Sequence, residues 1–224
     1  MIEMLHGFLR PAKRIALAGA LLMAMSVAPA AASTVIFDTF GPGTTFNSSV
    51  GLTIGFDETN RMAAVPFSSP TDFQLDYIML PMTYISGTNG FRVRIFTEFG
   101  GLPSSQVINW SAANVLPVDE TPAIVTLTDA FQTTFEGGKT YFLAVETLVT
   151  PSWLSWHLST TTTGTYLTRI EGGEWQQSAD SQFISAFRIV ALGDDVGSEI
   201  PEPGTWALMG AGLAGLAWLR RKRA

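Results

Sequence analysis

The 224-residue sequence contains no cysteine. Disulfides, thiolate metal sites and cysteine nucleophiles are therefore excluded. Charge is scarce as well. Asp, Glu, Lys and Arg make up 14% of the chain against 46% hydrophobic residues, a balance that argues against disorder. Basic residues are scarcest in the middle. Between Ser33 and Ile200 stand 6 Lys/Arg and 17 Asp/Glu, a net of −11. That balance argues against a nucleic-acid partner, because phosphate-backbone binding runs on Lys and Arg. The whole-chain net of −6 hides this, since the other basic residues cluster at the two ends. His157 is the only histidine outside the first 32 residues. No helical stripe of useful length occurs between Ser33 and Val190.

The middle carries short runs with period two and Gly/Pro punctuation. Thr34–Asp38, Val50–Ile54, Met62–Phe67, Val107–Trp110, Ala123–Leu127, Thr140–Glu146, Trp153–Leu158, Thr165–Ile170 and Phe183–Val190 read as strands. Phe73, Leu75 and Tyr77 stand at spacing two in the run Asp72–Ile85. The cluster Ser86–Gly90 follows, then Phe91–Ile95, whose alternation puts Arg92 and Arg94 on one side. These two runs predict a hairpin across Ser86–Gly90. Tyr141, Leu143 and Val145 share one face, after a turn at Glu136–Lys139. Thr160–Gly164 reads as a loop. Many short strands without helices predict an all-β fold, a single β-sandwich or jelly-roll-like domain over residues 33–192. About 165 residues bury roughly 70% of their unfolded surface, enough for a core without disulfides.

Both ends read as targeting segments. Residues 1–32 have a positive n-region (Arg10, Lys13, Arg14), an apolar h-region (Ile15–Val27) and small residues at Ala30 and Ala32, which predicts a secretory signal cut by signal peptidase after Ala32. Residues 193–200 read as a linker. Then come Pro201, Glu202 and Pro203, an uncharged run over 204–219, and the basic block Arg220, Arg221, Lys222, Arg223. As a helix the 16-residue run is roughly 24 Å long, short of a hydrocarbon core of about 30 Å. Snorkelling Arg and Lys stems and the terminal Trp206 and Trp218 make up the difference, so a transmembrane helix is expected. Positive charge on the outer flank of each segment predicts that both ends face the cytoplasm and the middle is exported through a Sec-type translocon.

The order of triplet, short Gly/Ala-rich helix and basic cluster behind a signal peptide resembles the PEP-CTERM sorting signal of exopolysaccharide-producing Gram-negative bacteria. The resemblance covers this tail. It implies recognition by exosortase, a membrane-embedded cysteine-type transpeptidase that cuts near the triplet. A second resemblance covers about Phe37 to Ala191. Val65-Pro66-Phe67, Phe73-Gln74-Leu75-Asp76, Ser86-Gly87-Thr88-Asn89, Gly100-Gly101-Leu102-Pro103, Trp156 and Ala186-Phe187-Arg188 run in the order seen in choice-of-anchor R domains. Those are extracellular β-domains without an established activity, so the resemblance implies no catalytic residues.

Candidates for chemistry are few. A Ser-His-Asp triad needs an imidazole, and His157 is the one available, but no Gly-x-Ser-x-Gly elbow surrounds any serine. One histidine and no cysteine leave zinc without its usual ligands, so no metal or cofactor is expected. The acidic pairs Asp57-Glu58, Asp119-Glu120 and Asp194-Asp195 read as solvated loop carboxylates: strand neighbours point to opposite faces, so they are not evident glycosidase dyads, and no Asp-x-Asp-x-Asp-Gly loop supports the calcium alternative. Trp153, Trp156 and Trp175 are candidate glycan contacts. Trp153 and Trp156 are three apart, so a regular strand faces them oppositely. The expectation is an exported, non-enzymatic β-sandwich protein at the cell surface or in the extracellular matrix, associated with exopolysaccharide. Alternatives are a carbohydrate-binding module and a secreted glycan or ester hydrolase.

Overall fold

The computed structural model describes residues 33–55, 60–178 and 182–193. The expected signal peptide with Ala30 and Ala32, the linker beyond Gly193, Pro201-Glu202-Pro203, the helix over 204–219 and the basic block lie outside the described residues. Fourteen strands occur among those described: β1 (Thr34–Asp38), β2 (Asn47–Gly55), β3 (Arg61–Ser68), β4 (Phe73–Gly87), β5 (Gly90–Phe99), β6 (Leu102–Ala113), β7 (Ala123–Thr128), β8 (Thr134–Phe135), β9 (Thr140–Thr147), β10 (Ser152–Gly164), β11 (Leu167–Ile170), β12 (Gln176–Gln177), β13 (Gln182–Ser185) and β14 (Arg188–Ala191). No helix appears among the described residues, and the all-β expectation holds.

The strands form two antiparallel sheets. One runs β12-β11-β3-β9-β5-β6. The other is built on β4 and β10, with β1, β2, β7, β8, β13 and β14 paired around them. Alternate residues of each strand face the other sheet, as a period of two requires. Ala63, Val65, Val93, Ile95, Leu143 and Val145 supply the core from one side; Leu80, Met82, Leu154, Trp156, Phe187 and Ile189 supply it from the other. The opposite residues of the first sheet make a second cluster, Met62, Ala64, Phe96, Phe142, Ala144 and Leu167, with Trp175 packed against it.

Three local expectations are corrected. The predicted hairpin across Ser86–Gly90 does not form. β4 and β5 belong to different sheets, and the turn is a corner between them. Both strands alternate because both line one core, and alternation does not say which sheet a strand joins. The tight hairpin is β5–β6, where Gly100 and Gly101 both have positive φ (62° and 81°) and Phe99 faces Leu102. Two positive φ values match a type I′ turn.

Second, Phe73, Leu75 and Tyr77 do not share a face throughout. Tyr77 opposes Val190 and Leu75 opposes Ala191, so one extra residue is inserted in β4. This bulge shifts the phase, and Ile78, Leu80 and Met82 become the buried set. Third, Thr160–Gly164 continues β10, with Thr163 opposite Phe183. The expected strand Phe183–Val190 is two strands. β13 pairs with the far half of β10, β14 pairs with the near half of β4, and Ala186-Phe187 crosses between.

Candidate functional site

β10 carries most of the sequence candidates. Leu154 and Trp156 point into the core and are fully buried. Trp156 Nε1 donates to Ala186 O at 2.9 Å, which satisfies the indole where the chain crosses from β13 to β14. Trp156 thus offers no surface to a glycan. Trp153 is half-buried on β10, and Trp175 lies on the outer side of the other sheet. The three indoles do not share a surface.

His157 is 4% exposed, beside Phe46 with ring centroids 5.4 Å apart. Its Nδ1 lies 3.0 Å from Asn47 O, and its Nε2 lies 2.7 Å from Thr83 Oγ1. A carbonyl only accepts, so Nδ1 carries the proton and Nε2 accepts from the Thr83 hydroxyl. Burial lowers the imidazole pKa below its ordinary value, opposed by the backbone contacts with Asn47 and Val50. Both ring nitrogens are thus engaged in holding β2, β4 and β10 together. This geometry lacks the serine and carboxylate partners a triad needs.

Of the acidic pairs, Asp119-Glu120 falls among the described residues, and both side chains are exposed. Thr121, through its side chain and its amide, holds the Asp119 carboxyl below the usual range. Among the described residues no three His, Asp or Glu side chains are grouped to hold a metal ion.

The constellation missed from sequence lies on the outer side of the first sheet. Arg92 opposes Glu146, and Arg94 opposes Ala144, on neighbouring strands β5 and β9. Glu146 is 5% exposed. Its Oε1 meets Arg92 Nη1 at 3.1 Å and also Arg94 Nη2. Arg94 Nε, buried, has no hydrogen-bond partner among the described residues. Toward the other edge of the sheet, the Arg169 guanidinium sits 4.7 Å from the centre of the Trp175 ring. The alternation of Arg92 and Arg94 was legible; their meeting with Glu146 required the β5–β9 pairing, which no local pattern encodes. On this side two guanidiniums share one carboxylate and a third stacks on an indole.

Residues 199–222 match the PEP-CTERM protein-sorting motif. This is a PEP-CTERM sorting tail. The match contains Pro201-Glu202-Pro203, the uncharged run and the basic block through Lys222. A PEP-CTERM signal marks an exported, membrane-associated precursor that exosortase processes for surface display. No curated protein matches the chain. One solved structure is similar, the cysteine protease and lectin-like domains of Cwp84, a surface layer associated protein of Clostridium difficile. It matches at 10% identity with a TM-score of 0.39, over 61% of this chain and 32% of that one. The match thus spans about a third of that protein's chain, and a likeness of that size carries no conclusion. The PEP-CTERM motif covers the tail alone.

Proposed function

We propose that this PEP-CTERM protein is a non-enzymatic surface or matrix protein, whose mature β-sandwich is delivered outside the cell in association with exopolysaccharide. The observation that carries the reading is the sorting motif at residues 199–222 following an all-β domain. Residues 1–32 act as the secretion signal, cut by signal peptidase after Ala32 once the Sec-type translocon has engaged it. Residues 204–219 span the inner membrane of a Gram-negative host, with Arg220–Arg223 held in the cytoplasm. Exosortase then acts near Pro201-Glu202-Pro203. The domain over residues 33–192 is of the choice-of-anchor R kind, a reading supported by its ordered short motifs. The net of −11 between Ser33 and Ile200 suits a hydrated polysaccharide setting. The engagement of both His157 nitrogens weighs against the hydrolase alternative.

Replacing Pro201, Glu202 and Pro203 together by alanine tests this. Mass spectrometry of the two ends of the mature protein should show a trapped, unprocessed tail. Unchanged processing and location would defeat the proposal.

A carbohydrate-binding role is favoured by one observation, the half-buried Trp175 stacked with Arg169 on the same sheet as the Arg92–Glu146–Arg94 group. Trp175→Ala should then lower retention of the domain on the host's own exopolysaccharide. Equal retention removes that role.

A further inference from the structure

We infer that the end of the sandwich bearing the β5–β6 hairpin tip faces the lipid bilayer and rests on it in the membrane-associated precursor. The inference rests on the reading of residues 204–219 as a membrane tether.

It starts from where the chain enters and leaves the domain. Ser33 Oγ donates to Asp76 Oδ2 at 2.9 Å, and Leu192 N donates to Gln74 O at 2.9 Å. Thr34 opposes Ala191 on the adjacent strands β1 and β14. Entry and exit therefore stand side by side at the start of β4. The rest of β4 runs away from that point to Gly87 at the opposite end. Fifteen residues of strand reach about 46 Å. The chain from Gly193 to the uncharged run at Gly204 extends at most about 40 Å. The near end is within reach of the membrane. The far end is carried beyond it.

The near end is also where the hairpin tip projects. Thr97 on β5 opposes Tyr141, and Thr140 opposes Ser68, so Phe99 and Leu102 stand past the last rung of β3 and β9. The Tyr141 ring lies 5.0 Å from the Phe135 ring, and Phe135 opposes Phe73, the first residue of β4. Both sheets thus finish at this level. Phe99 is 80% exposed and Leu102 41%, on a turn of two glycines. Phe131, 89% exposed, flanks the same end from the loop between β7 and β8, where Thr133 O accepts from Leu75 N. The far end exposes valines alone, Val115, Val118 and Val149, whereas the aromatic tips Phe99 and Phe131 stand at the tethered end and match a bilayer interface.

Charge selects the kind of bilayer. The carboxylates here are tied into turns. Asp72 accepts from Gly137 N, Asp129 from Phe131 N and Thr133 N, and Glu136 pairs with Lys139. They leave the end acidic, so the grip is apolar and suits a zwitterionic surface. So few side chains hold weakly alone; the tether supplies the effective concentration that makes the contact persist.

The absence of cysteine allows a direct test. Leu102→Cys at the tip and Val118→Cys at the far end, where the side chain is 78% exposed, are each labelled with an environment-sensitive fluorophore. The full-length chain is reconstituted in phosphatidylcholine vesicles. Flotation with the vesicles reports the tether, and iodide quenching reports the contact. In floated protein the label at 102 should be quenched at least twofold less than the label at 118, and adding Phe99→Ser and Phe131→Ser should remove the difference. Equal quenching in floated protein, or stronger protection at 118, overturns the inference while sparing the tether. Protein that does not float overturns both.

Discussion

Thr39 and Phe187 clasp each other through two hydrogen bonds, one between main chains and one from main chain to side chain. Thr39 N donates to Phe187 O at 2.9 Å, and Phe187 N donates to the Thr39 hydroxyl at 2.8 Å. Both residues are fully buried. Phe187 sits where the chain crosses from β13 to β14, between the diverging halves of β10 and β4. Its ring lies 5.2 Å from Phe37 and 6.0 Å from Trp156. The strand ladder cannot satisfy this crossing, so a side-chain hydroxyl does.

Thr39→Val should therefore destabilise the domain by about 1–3 kcal/mol, because the Phe187 N–H loses its acceptor inside the core. Thr39→Ser should recover most of that loss. Urea midpoints of the two variants, at constant slope, would measure it; equal midpoints would show that the clasp contributes nothing.

Removing Glu146 should cost more than an ordinary surface pair. Its carboxylate is nearly buried, while Arg92 and Arg94 keep 32% and 24% of their side-chain exposure. Full burial of a broken pair costs about 3–5 kcal/mol. Solvent screening of the two guanidiniums discounts this to about 1–3 kcal/mol for Glu146→Ala. The loss should shrink in high salt, which thermal denaturation across a salt series would reveal.

His157 couples stability to pH. Its folded pKa lies below its ordinary value through burial, so the unfolded chain binds the proton first. Stability is full above about pH 6.5 and declines as pH falls through that value toward the folded pKa. In His157→Gln this limb of the curve should flatten between pH 7 and pH 5, although the variant starts less stable. Denaturant titrations at each pH provide the comparison; an unchanged slope would mean that His157 titrates alike in both states.

Gly87 should resist substitution. It has φ of 83°, and an added Cβ would collide with the carbonyl oxygen of Pro151 on the opposite loop. Gly138 has a similar φ of 73° with nothing within 4 Å. Gly87→Ala should thus lower the melting temperature clearly more than Gly138→Ala, with the difference measuring the clash rather than the left-handed backbone.

Period-two alternation located most of the strands, because burial of one face is a local pattern. β7 shows this: half-buried Ala123, Val125 and Leu127 alternate with exposed Ile124, Thr126 and Thr128. Alternation failed where pairing changes along a strand. The bulge in β4 and the split of Phe183–Val190 both arise where β13 pairs with β10 and β14 pairs with β4, and those partners lie outside any local window, from Leu158 with Ser185 to Ile78 with Ile189. The same limit hid Glu146 from Arg92 and Arg94, and hid His157 from Thr83.

Address and alternation were written in residue order. The PEP-CTERM tail is a contiguous string read by a machine that meets it as a string, so no fold was needed to find it. Which sheet each strand joined, which carboxylate met which arginine, and why entry and exit share one end were decided only by the packed sandwich. Those outcomes depend on pairings between distant segments. They are selected by burying one common core, a global constraint that no short window of sequence contains.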